Sequence, residues 1–440
     1  MDGLRCRSGY PDKMEEKLMK KGLLIFMVLA FLMAGIFGCR SRGNTDGSTN
    51  IILGDEITVE GDGASVTDNI VTISSVGTYN ISGTLKDGMV KVDAEDEKVN
   101  LILAGADISN SGGPAILISE AAEAIVTLKE DTSNKLADGG DSDYDAALYS
   151  KPTLTINGEG ALEVSGNNNE GISSEMHINI DGGNIWVKAV EDGLNANNDN
   201  VSAITISGGY LYVEAEAGDG IDSNGTINIS GGTVIALSSL GDASGGLDAD
   251  GEVVITGGTL IATGAQISTP AESSTQKSIL VRYSAAQKAN TLVCIQQDGK
   301  EILTFAPAMT YQSLLYSSAD IADGVSYVVY AGGSTTGQAV DGLYRNATYT
   351  AGTKVSTVTT ESISDAKEND PQGAAQKASQ DTAQGANQEK TQKTDQEKSQ
   401  GTEQKAPQGT PPQGDPPQGP PKGEPPQGAP PQGNPSQQKQ

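Results

Sequence analysis

Cysteine, histidine, tryptophan and arginine are almost missing from this chain. Its 440 residues include three cysteines, one histidine and one tryptophan, and no arginine lies between Arg42 and Arg282. Cys6, Cys39 and Cys294 are too few and too scattered for a disulfide framework; Cys294 reads as a small buried hydrophobe. Without a His or Cys cluster there is nothing from which to build a zinc site. Aromatics make up 4 % and the formal charge is −28. That balance excludes nucleic acid as a partner, because phosphates would be repelled. Residues 364 to 440 hold no Ile, Leu, Val, Met, Phe, Tyr or Trp, so they cannot bury apolar surface and are expected to stay disordered. Pro-Gln-Gly recurs there at Pro407, Pro412, Pro417, Pro426 and Pro431, a pattern of polyproline-like segments broken by glycine.

Long apolar runs are also scarce. One begins after Lys20-Lys21, extends from Leu23 to Phe37, and ends at Gly38-Cys39. It is short for a membrane span and has the flanks of a secretory signal. A cysteine directly after the small residue resembles a bacterial lipobox. The expectation is a signal peptide of lipoprotein type over 1–38, lipidation at Cys39, and a lipid anchor to the membrane at the extracellular cell surface.

What the chain has in abundance is a repeat. Gly-Gly pairs fall at Gly182-Gly183, Gly208-Gly209, Gly231-Gly232 and Gly257-Gly258, spaced by 26, 23 and 26 residues. Short alternating strands flank each pair, and an acidic G-[IL]-[DNS] step follows: Asp192-Gly193-Leu194-Asn195, Asp219-Gly220-Ile221-Asp222, Gly245-Gly246-Leu247-Asp248. One such unit cannot bury its own apolar face, whereas stacked units can. The fold expected is all-β: a right-handed parallel β-helix over 50–269, with irregular outer coils toward its N-terminus. A linker over 39–49 precedes it. A small antiparallel β module over 270–360 follows, with hairpin turns such as Asp298-Gly299 and strands that read as a core. The tail over 361–440 completes the chain, which is expected to be monomeric.

Aligned on the apolar residue after the glycine, Leu148, Ile172, Leu194, Ile221 and Leu247 form an inward stack. The next position reads Tyr149, Ser173, Asn195, Asp222, Asp248; two further along it reads Lys151, Glu175, Asn197, Asn224, Asp250. Two residues before the stack stand Glu170, Asp192 and Asp219. Stacked strands lie ~4.8 Å apart, so carboxylates in one column either raise one another's pKa or recruit a cation. Oxygen-only ligands suit Ca²⁺, and the strongest set is Asp192, Asn195, Asn197, Asp219, Asp222, Asn224, Asp248 and Asp250. A second candidate metal loop holds Asp138, Asp141, Asp143 and Asp145, without EF-hand or nonapeptide spacing. Turn chemistry and asparagine stacking are the alternative use of these residues.

The segments YDAALYSK, LTINGEGALEV, EGISS, EDGLNAN, ISGGYLYVEA and GDGIDSNGTINISGGTV, with QKSILVRYSAAQKANTLV further on, resemble a clostridial family of carbohydrate-binding-domain-containing β-helix lipoproteins. That resemblance implies a helix related to pectate lyases, bound calcium, and binding of acidic plant cell-wall polysaccharide, pectic sugars in particular. Only the DG[IL][DN] positions carry over residue by residue, and Gly245 departs from them.

A lyase would need an Arg or Lys of lowered pKa beside the metal. From 144 to 270 only Lys151 and Lys188 are available, and Lys151 is expected to pair with Glu175. Trp186 and Lys188 share a strand face, a candidate carbohydrate platform. His177 reads as an ordinary outward strand residue, and among the many carboxylates nothing singles out a pair with a hydrolase spacing. The expected function is therefore non-catalytic, calcium-dependent polysaccharide binding. A lyase or hydrolase on the same helix and a structural adhesin are the alternatives.

Overall fold

In the computed structural model, described over residues 47–140, 144–241, 244–350 and 352–360, every regular element is a β-strand. The signal segment, Cys39, Asp141, Asp143 and the tail from 361 onward lie outside the described residues. The chain winds as a β-solenoid with three walls. One coil is representative: Leu194–Ala196 lies on the first wall, Ala203–Ile206 on the second and Tyr210–Ala215 on the third. Each strand pairs in parallel with its equivalent in the next coil, as in Leu194↔Ile221, Ile204↔Ile227 and Leu211↔Val234. The sequence suggests two strands and a connecting step per repeat. The structure makes the acidic step a strand in its own right, only three residues long. So short a segment holds its conformation because it is hydrogen-bonded to a coil on either side.

Ile, Leu and Val from all three walls meet inside in one continuous apolar column, running from Ile51 to Leu260 and on to Leu315. Each such side chain contributes roughly 1.5–3 kcal/mol on burial, which is why stacking and not any single coil supplies stability. The glycine of the acidic step is a packing requirement. A Cβ on Gly193 would lie 1.9 Å from Val213 Cγ1, and one on Gly171 would lie 2.2 Å from Val187 Cγ1. The third wall's valine thus rests directly on the first wall's backbone. Of the Gly-Gly pairs, Gly209 shows the reason: φ is +80° and a Cβ would press on the backbone of Gly182 and Gly183.

The two ends depart from parallel pairing, as terminal coils must if they are to stop further stacking. At the start, Thr49–Leu53 pairs antiparallel with Thr58–Glu60, and Ala64–Thr67 with Ile70–Ile73. At the far end Tyr311–Ser317 pairs antiparallel with the last third-wall strand, Thr259–Gly264, and also with Ser278–Gln287. The remaining antiparallel sheet is built on Val293–Gln297, Lys300–Phe305, Ser326–Ala331 and Thr353–Thr359. Its Asp298-Gly299 turn has both residues at positive φ, +49° and +80°, as a two-residue hairpin loop demands.

This sheet also covers the outer face of the third wall. There the outward column reads Lys135, Glu163, Trp186, Tyr212, Ile235, Ile261, and Ile261 meets Tyr316. The column turns from charged to apolar where it goes under the module. Tyr212, Ile235, Leu237 and Ile261 join Ile279, Phe305 and Tyr327 in a second apolar core.

Candidate functional site

The columns expected on the first wall are in register. Ile172, Leu194, Ile221 and Leu247 stack inward, and Ser173, Asn195, Asp222 and Asp248 stack on the opposite face. Strand alternation alone would put the residue three before each outward position on the opposite face, but Asp192 precedes the strand Leu194–Ala196, and the step there turns its side chain to the outward column. The bond from Asn195 Nδ2 to Asp192 Oδ2, 2.8 Å, shows this pairing of columns.

Asp192 is a brace between coils. Its Oδ1 accepts the Asp219 backbone N–H at 2.6 Å, while Oδ2 holds Asn195. Each oxygen thus holds one hydrogen bond, which gives Asp192 a structural role between coils. Asp219 repeats half of this pattern: its Oδ1 accepts the Gly245 N–H. Glycine at 245 cannot extend the brace, so the row ends there.

Asp219, Asp222 and Asp248 form the compact group. Each offers a carboxylate oxygen, and the three oxygens lie within 4.8 Å of one another. Asp222 accepts no hydrogen bond among the described residues, whereas Asp248 Oδ1 accepts the Ser268 hydroxyl at 2.9 Å. Burial, followed by the neighbouring carboxylates, pushes both Asp219 and Asp222 up to about 7. Carboxylates this close together keep a proton between them or share a cation. An all-oxygen set, one end of it exposed at Asp248, fits a hard divalent ion better than a soft one.

The other expected ligands sit apart. Asn224 donates to Asp199 Oδ1 at 2.8 Å and to the Asn197 carbonyl at 3.3 Å, in the turn beyond the strand. Asp250 is exposed and reaches Asp222 only through its charge. In the second candidate loop, Asp138 is buried and its Oδ1 accepts the Asn167 N–H at 2.5 Å. Asp145 gives its carbonyl to Glu170 N. Asp138 Oδ2 is buried without a hydrogen-bond partner among the described residues.

Trp186 and Lys188 do share an outward face, but their polar groups have partners within the chain. Trp186 Nε1 donates to Asp341, and its ring lies 5.7 Å from that of Tyr210. Lys188 pairs with Glu214 at 2.8 Å. Glu175 accepts the Tyr149 hydroxyl at 2.7 Å, and among the described residues no ion pair joins it to Lys151. His177 Nδ1 accepts the Ala203 N–H at 3.0 Å, an ordinary strand role. Cys294 is wholly buried.

Comparison with known proteins gives three findings. The profile of a family described as "Carbohydrate-binding domain-containing protein" matches residues 67–342. A protein of that same description from Acetivibrio thermocellus is 36% identical over 137 residues, 29% of this chain and 48% of the relative. The chain thus spans about half the length of the curated relative it matches. A solved structure, a polysaccharide lyase-like protein from C. thermocellum as its gadolinium derivative, aligns with TM-score 0.41 and 30% identity, over 47% of this chain and 90% of that one.

Proposed function

Because the chain belongs to the carbohydrate-binding domain-containing family, we propose that it is a non-catalytic binder of acidic plant cell-wall polysaccharide and that calcium on the first wall mediates the contact. The observation that carries this reading is the convergence of Asp219, Asp222 and Asp248 within 4.8 Å. A chain of charge −28 repels a polyuronate unless a cation joins carboxylate to carboxylate. Asp222 and Asp219 would hold the ion from the half-buried side. Asp248 would hold it at the solvent edge, and the Asp192–Asn195 brace keeps the adjoining coil in register. Calcium bound there supplies open coordination positions for sugar carboxylate and hydroxyl oxygens.

The two lysines of the coils from 144 to 270 argue for binding over elimination chemistry. Lys188 is on the third wall and neutralised by Glu214. Lys151 stands three coils from Asp222 along the stack, about 14 Å at the spacing of paired strands. Neither can take a proton from a sugar held at Asp248. We further place the mature protein at the cell surface, anchored by lipid on Cys39.

The test is retention on polygalacturonate beads. The protein should bind in calcium, wash off in chelator, and fail in magnesium; Asp222→Asn should abolish retention. An absorbance assay for unsaturated uronides should stay flat. Undiminished retention in chelator would refute calcium bridging, and accumulating unsaturated product would make the chain a lyase.

A further inference from the structure

We propose a second calcium site on the same wall, toward the N-terminus, formed by Glu170, Ser173 and Asn195. It deepens the reading of the ladder as cation-binding and rests on it.

Three polar oxygens in adjacent coils are buried without any hydrogen-bond partner: Glu170 Oε2, Ser173 Oγ and Asn195 Oδ1. Glu170 is 7% exposed and Ser173 0%. Buried polar atoms without partners are rare and costly, and three in adjacent coils of one wall are not an accident of a loose surface. Their placement brings them together. Ser173 and Asn195 are lateral partners in paired parallel strands, and Glu170 stands to Ser173 as Asp192 stands to Asn195, three residues before it and near enough to feel the Asp192 charge. The Asp192–Asn195 bond shows that side chains so spaced reach each other.

The nature of the missing partner follows from the donor set. Asn195 Nδ2 is committed to Asp192, and exchanging the amide's two ends would set its oxygen against a carboxylate, so Oδ1 faces the empty side. A carboxylate oxygen, a hydroxyl and an amide oxygen all offer lone pairs. They call for a positive or donating guest. The surrounding charge is negative, since Asp145, Asp192 and Glu191 all act on Glu170. A hard, oxygen-seeking cation meets both conditions, and calcium does so with less demand for retained water and strict octahedral geometry than magnesium. The first site spans the coils of Asp222 and Asp248, and this one the coils of Glu170 and Asn195. Their centres are about 10 Å apart at the spacing of paired strands, far enough for both to fill.

Calcium stoichiometry, measured by calorimetric titration of the chelator-stripped full chain, tests the assignment. Glu170→Gln should remove one bound ion per chain, and Asp222→Asn should remove a different one. Ser173→Ala keeps the fold testable, because it only deletes a buried hydroxyl. In chelator this variant should melt at or above the parent, having lost an unsatisfied group; in calcium it should melt below it. If Glu170→Gln and Ser173→Ala both retain the parent's stoichiometry and calcium-induced stabilisation while Asp222→Asn loses an ion, the ladder site stands and this second site is wrong. If the parent binds no calcium, both readings fall.

Discussion

The indole N–H of Trp186 donates to Asp341 Oδ2 at 2.8 Å, and the same oxygen accepts the Tyr210 hydroxyl at 2.6 Å. Two aromatic residues of the solenoid's third wall are thereby fixed by one carboxylate of the C-terminal module, at the edge of the apolar core those parts share. Asp341→Ala would leave both donors without their acceptor. It should cost about 1–3 kcal/mol and, since Trp186 is the only tryptophan, shift the emission to the red. Identical emission and denaturation midpoint in the variant would show that this contact is incidental.

Glycine at the acidic step is required by packing. Gly193→Ala would force a methyl group against Val213 Cγ1 and the Gly220 carbonyl. Overpacking of this kind costs about 1–3 kcal/mol. Gly112→Ala, where nothing lies within 4 Å, is the matched control and should be close to neutral. Guanidinium unfolding of the two variants decides the point. Equal midpoints would contradict the close approach of the walls.

Proton and calcium should compete at the ladder. Asp219 and Asp222 are pushed up to about 7 in the folded chain, against about 4 when unfolded. Between those values the folded state binds more protons, so in chelator this contribution to stability is full below pH ~4 and is lost as pH rises through about 7. Metal-free protein should therefore lose stability between pH 5 and pH 8, less so in Asp222→Asn. Calcium should stabilise more at pH 8 than at pH 5. Thermal melts in chelator and in calcium measure both slopes, and a calcium effect that is larger at pH 5 would rule out these carboxylates as ligands.

Lipid attachment at Cys39 is testable separately. Cys39→Ser should abolish labelling by a fatty-acid probe and move the protein from the detergent phase to the aqueous phase. Unaltered partitioning would count against the anchor.

The Gly-Gly pairs and the inward Leu194–Ile221–Leu247 column were legible in the sequence because each follows from a local rule. A residue at positive φ must be small, and a strand that alternates must face the core with its apolar side. The outward column of Asn195, Asp222 and Asp248 was legible for the same reason, since register carries one coil's pattern onto the next. The division of labour among the acids was not. Asp192 and Asp222 stand before and after the apolar residue of the same DG[IL][DN] step, yet the first is engaged by a backbone N–H and an amide while the second accepts no hydrogen bond among the described residues. Hydrogen-bond partners from a neighbouring coil decide this, and they lie 27 residues away in Asp219 N.

Composition and period alone determined that this chain is a β-solenoid with stacked acids and no basic groove, because lateral strand pairing repeats whatever each coil contains. Tertiary structure alone decided which outward positions are free. Trp186 reads as an open platform in the sequence, but the module folds back over the third wall, and Asp341 takes the donor that a sugar would have met. That covering depends on a contact across 155 residues, and no local pattern records which surface a distant segment will come to bury.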